Sequence, residues 1–493
     1  MAPEAQETTA AIGVEPTKTR RMSYATVVLL TSTMAVLLIN YVETMVLPGI
    51  PDIQKELNTS AALASWITSA FLVVGAAVAP LFGKLGDVYG KKKMFLIVLG
   101  FYIVGVGLAG LSNNIYMLLV ARAIQGIGFA TLPLAIAMVT DVFPKGRVAA
   151  AQGVISGTVA IGTTLGLVLG AYVVQGLGWH YAFYTALILS ILLFIVAFIV
   201  LKKDTPGCRT KMDYAGSAIL MAGITLVLIY ITEGPTRGWL SLDNLAFLIP
   251  GVILSVYFFV FESKRKSPLI EMKLLKIRNV LIANLVGIIS GAGLFLAFFG
   301  VVYYAELPTA AGGLGLDDIS TGLALAPASI VMMVVGPLIG RVMPKVGPRP
   351  VIILGSLVMM AGFAMFAFMR GSVVEISLDA TVAFVGTVMV MIPMVNMIST
   401  ALPCESMTVG LGVNSMLRNL GGAIGPVLAT TIMSTFVITV FTVTVPSATA
   451  FSVIFGVGIV FSLATLLISL AIRNYVFKDG VCVEKGSRDR NLP

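Results

Sequence analysis

The feature that most constrains this chain is a succession of apolar stretches, each interrupted by glycine, proline or clustered charge. A stretch of about 20 residues, at about 1.5 Å of helical rise per residue, crosses a hydrocarbon core of about 30 Å. Cutting at the interruptions gives about 14 spans, near 23–47, 62–83, 94–112, 116–139, 149–174, 181–201, 214–232, 245–261, 279–305, 321–343, 350–369, 379–402, 410–436 and 448–472. Between them the 493 residues carry only 32 Lys and Arg and 23 Asp and Glu, 11% in all, where a soluble domain holds about 25%. The mean hydropathy is +1.00. A water-soluble globule, a disordered chain and a nucleic-acid-binding domain are excluded, because each needs the opposite composition. An all-α polytopic membrane protein is expected.

The net charge of +9 then reports topology, since cytoplasmic loops collect Lys and Arg. With the N-terminus inside, 27 of the 32 basic residues fall on the inner side, among them Lys18, Arg20 and Arg21 of the N-terminal tail and Lys91, Lys92 and Lys93 of the second loop. Only Lys55, Arg237 and Arg370 fall outside, and Arg122 and Arg418 lie within spans. Both termini are therefore expected in the cytoplasm, and the first apolar run reads as an uncleaved signal anchor. Cys208, Cys404 and Cys482 have no paired spacing and His180 is the only histidine, so neither a disulfide framework nor a metal site is supported.

The chain repeats itself. Pro80-Leu81-Phe82-Gly83-Lys84 returns as Pro337-Leu338-Ile339-Gly340-Arg341, 257 residues later, and Pro144, Gly153, Gly162 and Gly166 return as Pro403, Gly412, Gly421 and Gly425, 259 residues later. Both copies keep one membrane orientation, so the repeat is parallel, with its axis along the membrane normal. The organisation expected is a tail at 1–22, a six-helix bundle at 23–201, a linker with two extra helices at 202–278, a second six-helix bundle at 279–473 and a tail at 474–493.

The segment after the second span, Gly83-Lys84-Leu85-Gly86-Asp87-Val88-Tyr89-Gly90-Lys91-Lys92-Lys93, resembles the loop signature of the major facilitator superfamily, with Lys91 where an Arg is usual. Its glycines permit a tight turn and Asp87 can cap a helix or pair with a cation across a bundle interface. Gly83, Asp87, Gly90, Lys91 and Lys92 are read as a conformational latch. Arg122-Ala123-Ile124-Gln125-Gly126 is similar to the family's Arg-x-x-x-Gly pattern in the fourth span. An arginine at that depth costs about 2.5 kcal/mol or more and needs a partner. Glu43 is the candidate, at a similar depth by helical rise. Gly162, Gly166 and Gly170, with Gly421 and Gly425, are spaced by four to admit a close helix. The first set departs from the family's antiporter element: Gly166-Leu167-Val168-Leu169-Gly170-Ala171 lacks its proline and last glycine, although Gly425-Pro426 keeps them in part.

The resemblance is closest to the fourteen-span drug:proton antiporters of that superfamily. It implies the major facilitator fold, two six-helix bundles in parallel pseudo-two-fold repeat plus two inserted helices, and spans 1, 4, 9 and 12 lining a cavity. Glu43, Arg122 and Glu306 are the expected proton-coupling or substrate residues; Asn40, Tyr41, Gln125, Met394 and Asn396 are candidate cavity lining. Arg418 is read as structural first. The function implied is secondary active transport, not enzymatic: proton-coupled efflux of hydrophobic or cationic small molecules by alternating access, with symport or uniport of a metabolite on the same fold as the alternative. A multi-pass monomer of the plasma membrane is expected, with small-molecule substrate, protons and the lipid bilayer as partners and no nucleic acid. No cofactor, catalytic residue or metal is called for, the proton gradient being the energy source; a phosphate-binding Gly-x-x-x-x-Gly-Lys-[Ser/Thr] loop is missing from the sequence.

Overall fold

The structure, a computed structural model, describes residues 23–59, 61–202, 213–265, 272–440, 443–478 and 481–484. The tail at 1–22, Lys203, Cys208, Arg209, Lys211, Lys266 and the segment 485–493 lie outside the described residues, as do the side chains of Lys145, Cys404, Lys478 and Cys482.

Lipid offers a backbone no hydrogen-bond partner, so the apolar runs fold as helices. In chain order they are α1 Tyr24–Thr44, α2 Ala61–Tyr89, α3 Lys91–Gly110, α4 Ile115–Val142, α5 Lys145–Leu177, α6 Trp179–Val200 and α7 Tyr214–Arg237. There follow α8 Leu242–Ser263, α9 Arg278–Glu306, α10 Asp318–Val346, α11 Pro348–Phe368, α12 Val373–Ala401, α13 Cys404–Thr435 and α14 Ala448–Ser469. Thirteen are long and apolar enough to cross a membrane. The other is α13, as long as its neighbours but more polar, because Asn414, Arg418, Asn419 and its glycines dilute its hydropathy. Two short antiparallel hairpins depart from the all-α pattern: β1 Val437–Val440 with β2 Val443–Pro446, and β3 Tyr475–Lys478 with β4 Val481–Glu484.

The helices outrun the apolar stretches. At 33 residues, α5 is about 50 Å long against a core of about 30 Å. For the same reason Gly83–Tyr89, expected as a loop, forms the last turns of α2. The turn into α3 is made by Gly90 alone, at φ +103°, and Gly347, its repeat partner, turns α10 into α11 at φ +88°. Glycine fits there because a Cβ is strained at positive φ.

The packing follows the repeat. α1 lies on α5 as α9 lies on α13, α2 on α4 as α10 on α12, and α3 on α6 as α11 on α14. Across the seam between the halves α2 packs on α13 and, equivalently, α10 on α5. The glycines decide how close these helices come. A Cβ at Gly412 would stand 2.8 Å from the Ala79 carbonyl oxygen and one at Gly153 2.5 Å from that of Gly336, two contacts related by the 257 and 259 offsets.

The end of the molecule that bears Lys91, Lys202, Arg341 and Arg349 is called the basic face here. Toward that face one apolar core runs through both halves, from Val28, Val98 and Ile155 to Val286, Met394 and Leu411. Toward the opposite face each half has its own, around Phe71, Tyr102 and Phe183 in the first and Phe363, Phe451 and Phe455 in the second. The inserted pair sits to one side. α7 packs on α2 and α13, and α8 chiefly on α7. At the opposite-face end Glu233 of α7 accepts hydrogen bonds from Trp66 Nε1 of α2 and from Arg237 Nε.

Candidate functional site

Arg122 is fully buried in α4, two turns from the opposite face. Its Nε donates to the Ile67 carbonyl oxygen at 2.8 Å, Nη1 to Gln125 Oε1 at 2.9 Å and to the Val42 carbonyl at 3.4 Å, and Nη2 to the Glu43 carbonyl at 3.4 Å. The guanidinium also lies over the Phe71 ring, 4.5 Å from its centroid. The sequence explains the arrangement. α1 stops at Thr44, so the carbonyls of Val42 and Glu43 belong to a last turn that has no intrahelical donors. A guanidinium there caps the helix and complements its dipole. Gln125 is itself held, its Nε2 donating to the Gly105 carbonyl at 3.0 Å. Arg122 thus ties α1 to α2 and α4 through main-chain oxygens. The pairing with the Glu43 carboxylate expected from depth is not the bond that forms, because the nearby carbonyls take up its donors.

Glu43 is left over. It is buried in α1, and among the described residues no donor or cation sits at hydrogen-bond or ion-pair distance from its carboxylate. The cations whose charge reaches it are Arg122 and, from the other half of the molecule, Arg418 in α13. One turn back along α1, Asn40 lines a small cavity of about 20 Å³, room for about one water molecule. Its wall also includes Val36 and Ile39 of α1, Thr131 of α4, Val159 of α5 and Arg418 of α13. Asn40 Nδ2 donates to the Val36 carbonyl at 2.6 Å, which leaves its side-chain oxygen for the cavity.

The remaining expected residues fall in different places. Tyr41 is buried in the first half's own core. Met394 is fully buried in the shared core, and Asn396 is buried with its Oδ1 accepting from Tyr475 Oη at 3.1 Å. Neither lines the cavity, because α12 is the most enclosed of the spans, 83% buried. Glu306 ends α9 at the opposite face, partly buried, and is not among the groups brought to Glu43.

The latch residues converge on the seam. Asp87 is buried, and its Oδ2 accepts from the Val409 backbone N–H in α13 at 3.2 Å. A Cβ at Gly83 would stand 2.7 Å from the Thr408 carbonyl oxygen. Lys91 pairs with Asp141 at 2.7 Å, and Lys92 donates to the Phe198 and Leu201 carbonyls. The packing glycines lie against the first helix of each half: Gly162 and Gly170 against Leu37 and Met45, Gly166 against Tyr41 and Thr44, and Gly421 and Gly425 against Ile288 and Ala292 of α9.

Sequence reasoning misses buried carboxylates, Asp379 of α12 and Glu262 of α8 among them. Asp379 of α12 has no exposed surface, and both its carboxylate oxygens lack a hydrogen-bond partner among the described residues. Cutting the span at 379 put this residue at its edge, whereas α12 begins at Val373, capped by Ser372, whose Oγ accepts from the Glu375 N–H at 3.2 Å. A Ser-x-x-Glu pattern upstream of the apolar run was the available signal.

The chain is similar to known proteins. The chain is 26% identical over 399 residues to the multidrug transporter protein MdtP of Bacillus subtilis, covering 79% of this chain and 72% of that one. It is 25% identical over 417 residues to the tetracenomycin C resistance and export protein of Streptomyces glaucescens, covering 84% and 77%. The crystal structure of the human organic anion transporter MFSD10 superposes with a TM-score of 0.61 at 16% identity, covering 91% of this chain and all of that one. The family profile described as Major Facilitator Superfamily matches residues 33–426. With fourteen helices in a parallel repeat and that match over most of its length, the chain belongs to the major facilitator superfamily of membrane transporters.

Proposed function

We propose that this transporter exports hydrophobic small molecules, cationic ones among them, in exchange for protons, from a cell membrane in which both termini face the cytoplasm. The observation that carries the reading is Glu43: a carboxylate buried in α1, without a hydrogen-bond or ion-pair partner among the described residues, one turn from a small cavity walled by both halves. Ionisable groups at such a depth are retained for ion or substrate pathways. A carboxylate that accepts either a proton or a cation couples the two by competition. The names of the relatives, a multidrug transporter and an antibiotic exporter, favour efflux, and the basic loops at one face favour the orientation.

Alternating access follows from the division of the core. The halves share apolar packing toward the basic face and keep separate cores toward the opposite face. The seam therefore opens most readily at the opposite face, and the cycle requires the basic-face contacts around Gly83, Asp87, Gly153 and Gly340 to part in turn. The test is transport by the purified full chain in proteoliposomes. An imposed proton gradient should drive ethidium against the direction of proton flow. If neither ethidium nor neutral or anionic dyes move when the gradient is imposed, the coupling claim fails. Movement of substrate with the protons would make the protein a symporter instead.

A further inference from the structure

We propose that Arg418 is the resident counter-cation of Glu43, a charge held by the second half that a proton or a cationic substrate must displace. The inference rests on the proposed transport function and names the residue that completes its coupling site.

Three observations lead to it. First, of the two arginines whose charge reaches Glu43, Arg122 is already committed: it caps α1 and binds Ile67 and Gln125. Arg418 is not. Among the described residues its guanidinium has no hydrogen bond, ion pair or ring partner, and it forms part of the cavity wall one turn from Glu43. Secondly, the repeat supplies an internal control. The 259-residue offset that aligns Gly162 with Gly421 aligns Val159 with Arg418, and both line the same cavity. The helix packs with valine at this position in α5, against α1, so the packing of α13 on α9 does not call for an arginine. Thirdly, the two charges stand on different halves. The ionisable groups around Glu43 are the Arg122 guanidinium from α4, the Arg418 guanidinium from α13, and the phenols of Tyr41 and Tyr102. Among the described residues only Arg418 reaches Glu43 from across the seam.

The consequence is a charge clasp between the halves. With Glu43 ionised, attraction to Arg418 favours the approach of the two bundles at the cavity. A proton on Glu43 abolishes the attraction, and a cation bound at Glu43 takes the place of Arg418. Proton and cation then compete for one carboxylate, which is the requirement for exchange, and Arg418 sets how tightly a cation must bind to enter.

A double-mutant cycle on the full-length protein tests the pair without any ligand. Unfolding in mixed detergent and SDS is measured for the wild type, Arg418→Gln, Glu43→Gln and the double variant. Attraction between unit charges in a partly buried site, beyond ion-pair distance, shifts an equilibrium on the order of tenfold. The change in unfolding constant caused by Arg418→Gln should therefore differ by about that factor when Glu43 is already Gln, and Arg418→Lys should restore the wild-type value. Effects that simply add overturn the proposal, as does failure of Arg418→Lys to restore. Ethidium affinity, read by fluorescence polarisation, supplies the second arm: it should rise on the order of tenfold in Arg418→Gln and fall in Glu43→Gln. A weaker or unchanged affinity in Arg418→Gln overturns it. Proton-driven ethidium transport by the wild type alongside an additive cycle would sink the clasp and leave the transport function standing.

Discussion

Replacing Arg122 by Gln should weaken the fold by about 3 kcal/mol, a figure that follows from its four bonds. The two at 3.4 Å, to the carbonyls of Val42 and Glu43, are long. Each is taken at the average for hydrogen bonds between helices in a membrane, about 0.6 kcal/mol. The bonds to Ile67 and Gln125, at 2.8 and 2.9 Å, lie closer to the ordinary optimum and each contributes about 1 kcal/mol. Glutamine is too short to span the three helices and carries no charge for the end of α1. Lysine keeps the charge but not the fork of donors, so Arg122→Lys should recover no more than about half of the loss. The assay is reversible unfolding of the full chain in mixed micelles, with substrate binding measured on the folded fraction. A variant as stable as the wild type that no longer transports would refute the reasoning, since Arg122 would then act on substrate or proton and not as a clasp for α1.

Gly421→Val should give little or no folded protein, because a Cβ there runs into the backbone of Ile288 in α9, which cannot yield as a flexible side chain would; yield and monodispersity on size exclusion report it. Asp87→Asn removes the charge from the bond with Val409 and should weaken the seam by about 1 kcal/mol. The turnover of reconstituted protein should change several-fold while the unfolding midpoint moves little, and an unchanged turnover would take Asp87 out of the latch. Asp379→Leu deletes two buried oxygens that have no hydrogen-bond partner among the described residues and should raise stability by about 1–3 kcal/mol with transport retained. Loss of transport in that variant would give Asp379 a part in the cycle.

Much of this architecture was legible because the physics behind it is carried by runs of residues. Apolar length marked the helices, basic loops marked one face, and the glycine spacing in α5 and α13 marked which helices approach closely. The Gly83 and Gly412 contacts fall where the two offsets put them. What the sequence does not display is where main-chain oxygens lack donors. The partner of Arg122 is therefore the C-terminal end of α1 and not the acid next to it, and Arg418, read as structural first, has no side-chain partner among the described residues. Helix ends were blurred for a related reason: hydropathy marks the lipid boundary, while hydrogen bonding carries α2 on to Tyr89 and starts α12 at Val373, which hid Asp379. Met391, Met394 and Met397 of α12 fill the shared core, and no pattern along the sequence separates a core methionine from one facing a cavity.

The central claim is that Glu43 exchanges a proton for substrate, and the most direct measurement is proton counterflow. Wild type and Glu43→Gln are reconstituted in liposomes holding a pH-reporting dye, with equal pH on both sides and an ethidium gradient as the sole driving force. The wild type should move protons against the ethidium flux, and Glu43→Gln, purified as a folded, monodisperse protein, should move none. Proton counterflow of wild-type size in Glu43→Gln would contradict the account.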